Sequence, residues 1–425
     1  MKRTTFSSPL FKIFTIKNLR IRLLYTALIL IFFRLIAYVP VPGINTELLS
    51  LFFQQSQLLS LLDIFSGGTL ANFSIIALGL NPYINASVLF QLLTFVSPKI
   101  DKLSKEGEYG RAKIAQYTRI ATIPLSLIQS FAVYAILQSQ GLIGQLDILS
   151  LVTFVLSLIT GTMIMMFLGQ LIDDYGLGNG VSMIIFTGIV SRLPVSLFKT
   201  IESTNFTDPK TVMSILIFAL LAITMVFLIV LVEEAVLKVP IHYAKRGQQT
   251  FLPIKIDTTG VMPIIFAVSL ASGPSMIAQF TAQMSNPTIQ KISQFILTNL
   301  HTSSIPYIIF YFLMVFVFTY FYSSVVFKPE DIADNLRKSG AFIPGIRPGQ
   351  ATQKRLSFLI NRVVFIGAFF LASIAVAPSI VQNLTGITTL TIGGTGVLIV
   401  ISVIIELSRK VENAIQMYNY DEFVF

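Results

Sequence analysis

Ten apolar stretches limit what this chain can fold into more than any other feature. A helix needs about 20 mostly apolar residues to cross the hydrocarbon core of a bilayer. Only 12% of the residues are charged, whereas soluble domains carry about 25%. We therefore predict an all-α membrane protein with ten transmembrane helices, near residues 23–39, 73–96, 114–137, 149–172, 180–199, 211–232, 258–281, 304–327, 357–377 and 386–405.

The lysines and arginines lie mostly on one side of this predicted arrangement. If the N-terminus and every second loop share a side, that side holds 23 of the 30 basic residues. The opposite loops hold only Lys199, Lys210 and Lys291. Because an excess of basic loop residues marks the cytoplasmic face, we predict that both termini are cytosolic or stromal. Topology, rather than nucleic-acid binding, then accounts for the net charge of +10.

The spans divide the chain into two halves and two ends. These are a basic N-terminal segment 1–22, a first half 23–200, a second half 201–405 and a C-terminal tail 406–425. Two loops on the basic side, 233–257 and 328–356, are longer than connectors between helices usually are. From charge alone, a docking surface and a simple topology determinant explain these loops equally well.

A short motif recurs at corresponding places in the two halves. Residues 79–84 (GLNPYI) and 260–265 (GVMPII) both fit the pattern G-x-x-P-x-I. Paired Gly/Pro interruptions of spans are typical of membrane proteins built from inverted repeats, which place the working site at the repeat interface. We therefore expect spans 2 and 7 to face each other.

Few residues are suited to catalysis or metal binding. The chain has no cysteine and only two histidines, His242 and His301. Thiol chemistry requires cysteine, and a zinc site needs several Cys or His ligands, so we predict no catalytic site, no metal site and no cofactor. An inverted-repeat secondary transporter stays open as an alternative, although ion-coupled carriers usually place carboxylates inside the membrane and no predicted span has one clearly at its middle.

Two short segments have local explanations. Residues 58–70 are apolar but too short to span, which predicts a re-entrant or interfacial piece. Residues 176–180 (GLGNG) lack the lysine of a phosphate-binding loop and follow no strand. We interpret them as a tight turn and a helix start.

Several motifs occur along the chain in the order of a known family. They are Ser66-Gly67-Gly68, residues 73–94, 105–108, 116–119 and 176–180, Tyr243-Ala244-Lys245-Arg246, residues 333–349 and Gly393-Gly394-Thr395. Together they resemble the SecY family, the central subunits of the Sec protein translocon. The resemblance covers roughly residues 17–415.

The resemblance implies a fold and a set of site residues. Two pseudo-symmetric inverted halves of five helices would clamp a pore, with a short re-entrant plug helix near residues 58–70. An apolar ring sealing the pore would consist of Leu80, Ile84, Val181, Ile185, Ile265 and Ile399. The plug would include Asp63, Phe65, Ser66, Gly67 and Gly68, the lateral gate Pro82, Asn85, Pro263 and Ile264, and the docking surface Lys245, Arg246 and Arg347.

The spacing of the ring residues agrees with this assignment. Leu80 and Ile84 are four residues apart, as are Val181 and Ile185, so each pair would share one face of a helix. Asn81 and Asn85 place two amides near the ring. If both face the pore, the ring is less dry than an all-apolar constriction.

The function implied by the resemblance is a protein-conducting channel rather than an enzyme. Such a channel passes unfolded polypeptides across the membrane and releases apolar segments laterally into lipid. The implied partners are a SecE-type small subunit, a SecG-type subunit, a SecA motor ATPase or the ribosome, preprotein substrates and the lipid bilayer. The compact length and the Ile- and Phe-rich composition resemble the plastid or cyanobacterial branch, which favours the thylakoid membrane over a bacterial plasma membrane.

Overall fold

The helices of the chain follow the predicted spans. A computed structural model describes residues 16–41, 69, 73–139, 141, 143–144, 146–203, 209–243, 249–256, 260, 262–281, 287–300, 304–385 and 394–424. The first half contains α1 (Lys17–Ile36), α2 (Asn81–Val96), α3 (Pro98–Lys105), α4 (Glu108–Ser139), α5 (Ile148–Tyr175) and α6 (Gly180–Ser203). The second half contains α7 (Pro209–Glu234), β1 (Val236–Tyr243), β2 (Gln249–Lys255), α8 (Met262–Thr281), α9 (Pro287–Asn299), α10 (Ile305–Val326), α11 (Pro329–Lys338), β3 (Ala341–Phe342), α12 (Gln350–Thr385) and α13 (Gly394–Val424).

Each predicted span coincides with one helix of the described residues. The ten matching helices are α1, α2, α4, α5, α6, α7, α8, α10, α12 and α13. Within the part of the chain that the structure describes, four helical stretches are long and apolar enough to cross a membrane, namely Glu108–Gln138, Ile148–Tyr175, Ile305–Lys338 and Gln350–Val381.

The predicted start of the second span is wrong. Helix α2 begins at Asn81, and residues 73–80 form turns and an isolated bridge instead of a helix. Gly79 has a φ of 58°, a left-handed conformation that glycine adopts without steric cost and that ends helical geometry. Pro82 then lies in the first turn of α2, where its missing N–H would have had no helical partner.

Helix α13 extends well beyond the predicted end of the last span, at residue 405. It runs to Val424, because Val411 and Ile415 continue its apolar stripe after the span and pack against Leu19 of α1. Arg409 also fixes this extension, since its Nη2 donates a hydrogen bond to the Glu233 carbonyl at the end of α7, at 2.8 Å. A basic side chain at a helix C-terminus satisfies a carbonyl that has no partner within the helix.

A small β-sheet joins the two long loops. Its strand order is β2-β1-β3, and β1 pairs antiparallel with both neighbours. We call β1, β2, β3 and α11, with the N-terminal turns of α12, the loop unit. The loop unit has its own apolar core, formed by Val239, Ile241, Ile254, Ala333, Leu336, Ala341, Ile343, Leu356, Ile360 and Val364. This sheet was not predicted from the sequence, which indicated two separate loops, 233–257 and 328–356.

Among the described residues, three larger apolar clusters hold the helices together, in addition to the small one between α1 and α13. One belongs to the first half and contains Phe73, Leu137 and Phe154. Another belongs to the second half and contains residues of α7, α8, α10, α12 and α13. Between them lies what we call the central cluster, to which α1, α2, α5, α6, α8 and α13 contribute. The central cluster is therefore where the two halves meet.

Candidate functional site

The two copies of the G-x-x-P-x-I motif adopt the same local structure. Gly79 has a φ of 58° and Gly260 a φ of 62°, both in the left-handed region that favours glycine. In each copy the proline, Pro82 or Pro263, is the second residue of the helix that follows. The shared conformation makes Ile84 and Ile265 equivalent positions, and both lie in the central cluster.

All six predicted ring residues come together in or against the central cluster. Leu80, Ile84, Ile185, Ile265 and Ile399 are buried members, none more than 4% exposed. Val181 is half-buried and packs against the cluster. The contributing elements are the start of α2, the start of α6, the start of α8 and α13. Residues far apart in the sequence thus form one apolar contact zone between the halves.

The glycine-rich turn 176–180 places α6 within this zone, and its interpretation as a turn and helix start is confirmed. Gly178 has a φ of 109°, and Asn179 caps α6 by accepting a hydrogen bond from the Ser182 N–H at 3.1 Å. The backbone of Gly180 lies directly against α5, where an added Cβ would sit 1.8 Å from the Gly169 carbonyl oxygen. This close helix crossing fixes the positions of the residues that follow, including Val181.

The interface between α2 and α8 includes a hydrogen bond between side chains. Ser269 donates its Oγ–H to Oδ1 of Asn85. Asn85 therefore faces α8. Pro82 and Pro263 are both buried, whereas Ile264 packs into the second-half cluster with Tyr311 and Leu371. Of the predicted gate residues, Asn85 makes the direct polar contact between the halves.

A second contact between the halves is aromatic and lies closer to the loop unit than the Asn85–Ser269 hydrogen bond does. The ring centroids of Phe95, at the end of α2, and Phe321, near the end of α10, lie 4.3 Å apart. We call the Asn85–Ser269 and Phe95–Phe321 contacts together the seam. Neither Ser269, Phe95 nor Phe321 was selected from the sequence. A polar residue inside an apolar span was the only available signal for Ser269, and the phenylalanines had none.

The predicted plug residues Asp63, Phe65, Ser66, Gly67 and Gly68 lie outside the described residues, as does all of 42–68. The chain on either side of that segment is paired, since the Val41 N–H donates to the Phe73 carbonyl at 2.9 Å and the Ile75 N–H donates to the Val39 carbonyl at 3.0 Å. The described residues that flank the segment therefore lie side by side.

Thr69, which directly follows this segment in the sequence, is hydrogen-bonded to the central cluster. Its buried Oγ1 donates a hydrogen bond to the carbonyl of Ile76, a cluster member, at 2.9 Å. Phe73 next to it has a φ of 44°, and its fully buried ring stacks on Phe154 with centroids 5.8 Å apart. A left-handed conformation is costly for a bulky residue, so tertiary packing holds this point of the chain in place.

The predicted docking residues are only partly described. Lys245 and Arg246 lie outside the described residues, and Arg347 is exposed on the loop unit. The β1–β3 pairing, with His242 opposite Phe342 and Tyr243 opposite Ala341, places the end of β1 beside the strand that precedes Arg347. The described parts of the two loops therefore lie side by side.

The described residues contain no group of three His, Asp or Glu side chains that could hold a metal ion. Asp173 follows Ile172, a member of the central cluster, and accepts a hydrogen bond from the Gly180 N–H at 2.8 Å. Its contact is therefore with the backbone of the α5–α6 turn.

Comparison with known proteins identifies the family. The SecY family model matches residues 74–408. The protein translocase subunit SecY of Streptomyces coelicolor is 36% identical, over 97% of this chain and 98% of its own length. The corresponding subunit of Thermotoga maritima is 37% identical, over 97% of this chain and 96% of its own. The chain belongs to the SecY family. The resemblance drawn from the sequence is thereby confirmed.

Solved structures show that the fold is also that of the SecY family. A protein-conducting channel matches with a TM-score of 0.69 at 18% identity, over 93% of this chain and 92% of that one. Sec61 in the canine ribosome–channel complex of the endoplasmic reticulum matches with a TM-score of 0.65 at 17% identity, over the same shares. The predicted helical membrane fold is confirmed. The small sheet of the loop unit was not part of that prediction.

Proposed function

We propose that this chain is the protein-conducting channel of a Sec translocase, which passes unfolded polypeptides across a membrane. The observation that carries the proposal is the meeting of Leu80, Ile84, Val181, Ile185, Ile265 and Ile399 in one apolar zone between the halves. The relatives at 36% and 37% identity are named as translocase subunits, which supports the same function.

The central cluster accounts for how a resting channel excludes ions. A narrow apolar constriction loses its water and blocks ions without a fixed charge. Branched aliphatic side chains also form no strong polar contact with a passing polypeptide. The polypeptide can therefore move through the ring, and the ring can close after it. The segment containing Asp63, Phe65, Ser66, Gly67 and Gly68 would act as a plug. The described residues on either side of it support this role, because Val41 pairs with Phe73 and Thr69 is hydrogen-bonded to Ile76 of the central cluster.

Lateral release would occur through the seam. Separating α2 from α8 and α10 breaks the Asn85–Ser269 hydrogen bond and the Phe95–Phe321 contact and opens the central cluster sideways to lipid. Pro82 and Pro263 start the two helices there, and Ile264 anchors α8 to the second half. An apolar segment in the pore would then leave into the bilayer by partitioning, because burial of apolar surface is favourable.

The energy for transport would come from a partner rather than from catalysis by this chain. The proposed partners are a SecE-type small subunit, a SecG-type subunit and a SecA motor ATPase or the ribosome. The loop unit, with Lys245, Arg246 and Arg347, is the surface on which the motor or ribosome would dock. One structural neighbour is Sec61 in a complex with the ribosome, which supports this kind of partner.

For the orientation in the membrane, we propose that the side of the loop unit and both termini face the cytosol or stroma. The excess of lysine and arginine on that side supports this orientation. The thylakoid membrane is the location favoured by composition, with a bacterial plasma membrane second.

Translocation into vesicles tests both the function and the docking surface. With the wild-type chain and a motor ATPase, we expect a preprotein to become protected from protease. The substitution Arg347→Glu should reduce the protected amount about tenfold or more, because a like charge at an interface costs several kcal/mol and about 1.4 kcal/mol corresponds to a factor of ten. The matched control is Lys99→Glu, which reverses an exposed charge on α3, outside the loop unit.

The possible failures are distinguishable. If the wild-type chain protects no preprotein, the translocation function is contradicted. If the wild type works and Arg347→Glu equals both the wild type and Lys99→Glu, only the docking role of Arg347 is contradicted.

A further inference from the structure

Two arginines on α12 bracket an exposed aromatic ring. The guanidinium carbons of Arg355 and Arg362 lie 5.8 Å and 4.2 Å from the centroid of Phe358. All three side chains are exposed, and neither arginine forms an ion pair with a carboxylate of the described residues. A guanidinium stacked on a ring keeps its N–H donors, which lie in its own plane, available for a ligand.

These arginines lie where α12 passes from the loop unit into its apolar run. Leu356 and Ile360, on the opposite face, belong to the core of the loop unit. Arg362 is the last charged residue of the helix, since residues 363–385 contain none. A basic residue at the end of an apolar span lies at the level of the lipid headgroups.

The same face of α12 continues as an apolar strip. Phe365, Ile366 and Phe369 follow Arg362 at helical spacing and are each more than half exposed. Two of them contact α10, with Phe316–Phe365 centroids 5.5 Å apart and Phe312–Phe369 centroids 5.7 Å apart. The strip between the two helices is therefore lined by aromatic rings.

Helix α10 adds a tyrosine at the level of the arginines. The pairs Phe312–Phe369 and Phe316–Phe365 define an antiparallel register in which Tyr320 lies level with Asn361, next to Arg362. Tyr320 is 42% exposed. Tyrosine is enriched at membrane–water interfaces, where its ring is in lipid and its hydroxyl in water. The arginines, the tyrosine and the apolar strip thus follow the order of a lipid from headgroup to acyl chain.

We propose that this surface binds an anionic phospholipid in the leaflet on the side of the loop unit. Arg355 and Arg362 hold the headgroup phosphate, and the acyl chains lie along Phe365 and Phe369. Guanidinium groups suit this role because their paired N–H donors match phosphate oxygens. The uninterrupted apolar strip favours a lipid over an RNA or an acidic protein, since neither would cover a face that enters the membrane.

Lipid retention by the full chain tests the site. The chain in detergent is incubated with phosphatidylglycerol, and bound lipid is measured by native mass spectrometry. The double variant Arg355→Gln/Arg362→Gln should retain phosphatidylglycerol about 30-fold less well, the equivalent of about 2 kcal/mol for two basic groups near an anionic headgroup. The variant Arg355→Lys/Arg362→Lys keeps both charges and should retain most of the binding, which also reports that α12 is folded.

The control removes two exposed lysines elsewhere in the loop unit. Lys238→Gln/Lys255→Gln changes the net charge by the same amount and should leave phosphatidylglycerol retention unchanged. The proposal is overturned if Arg355→Gln/Arg362→Gln and Lys238→Gln/Lys255→Gln lose phosphatidylglycerol retention equally, because diffuse charge would then explain the binding. It is also overturned if Arg355→Gln/Arg362→Gln retains the lipid and instead loses binding to ribosomes or to an acidic protein.

Discussion

Replacing Ile84 and Ile265 together by glycine should make membranes that contain the resting channel permeable to ions. The two residues are equivalent positions of the G-x-x-P-x-I motif, and both are buried in the central cluster, at 4% and 2% exposed. We expect passive ion flux to rise about tenfold or more, because a factor of ten needs a barrier only ~1.4 kcal/mol lower. Burial of each isoleucine side chain stabilises the closed central cluster by about 1.5–3 kcal/mol, so the loss of both side chains is sufficient for this change.

The matched control for this leak removes two similar side chains from a lipid-facing surface. Leu220 and Ile223 of α7 are 66% and 69% exposed, so Leu220→Gly/Ile223→Gly leaves the central cluster intact. The measurement is conductance across a planar bilayer, without preprotein. Background conductance from the Ile84/Ile265 variant, or an equal leak from the α7 variant, would mean that these isoleucines do not form the seal.

Crosslinking the seam should stop both lateral release and translocation. The chain has no cysteine, so Phe95→Cys/Phe321→Cys introduces the only thiols. The two rings touch across the halves, with centroids 4.3 Å apart, which places the new thiols within reach of a short, reducible bifunctional reagent. Once joined, α2 and α10 cannot separate. Translocation should fall to background and recover when the crosslink is reduced.

A crosslink within one half provides the control. Phe90→Cys/Tyr117→Cys joins α2 and α4, both of the first half, at an aromatic contact of 6.2 Å. This crosslink should leave translocation unchanged, because the halves still separate. Full translocation with the Phe95–Phe321 crosslink in place would show that the seam need not open. Equal inhibition by both crosslinks would point to general rigidity rather than to a gate.

The positions of the spans were predictable because the bilayer imposes a simple rule. Every backbone polar group in hydrocarbon needs an internal partner, so long apolar runs become helices, as α4, α5, α10 and α12 did. The G-x-x-P-x-I match was also informative, since Gly79 and Gly260 share one backbone conformation. The start of α2 was nevertheless missed, because residues 73–80 are as apolar as a helix would be and hydropathy alone does not distinguish turns from helix.

The site was only partly predictable, because its details depend on contacts between distant residues. Ile84 and Ile265 came from a motif, whereas Ser269 and the pair Phe95–Phe321 are defined by how the halves pack. The loop unit was missed for a related reason. Its strand β3 has two residues, Ala341 and Phe342, and such a short strand is recognisable only from its pairing with β1.

The most direct test of the channel asks whether a polypeptide in transit passes the central cluster. A photoreactive amino acid is placed at Ile265 or at Ile399, and in control chains at Leu220 or Ile223, and a preprotein is stalled midway through translocation. The account predicts crosslinks between the stalled preprotein and the first two positions, and none with the two positions on α7. A stalled preprotein that leaves Ile265 and Ile399 unlabelled, or that labels the α7 positions equally, would contradict it.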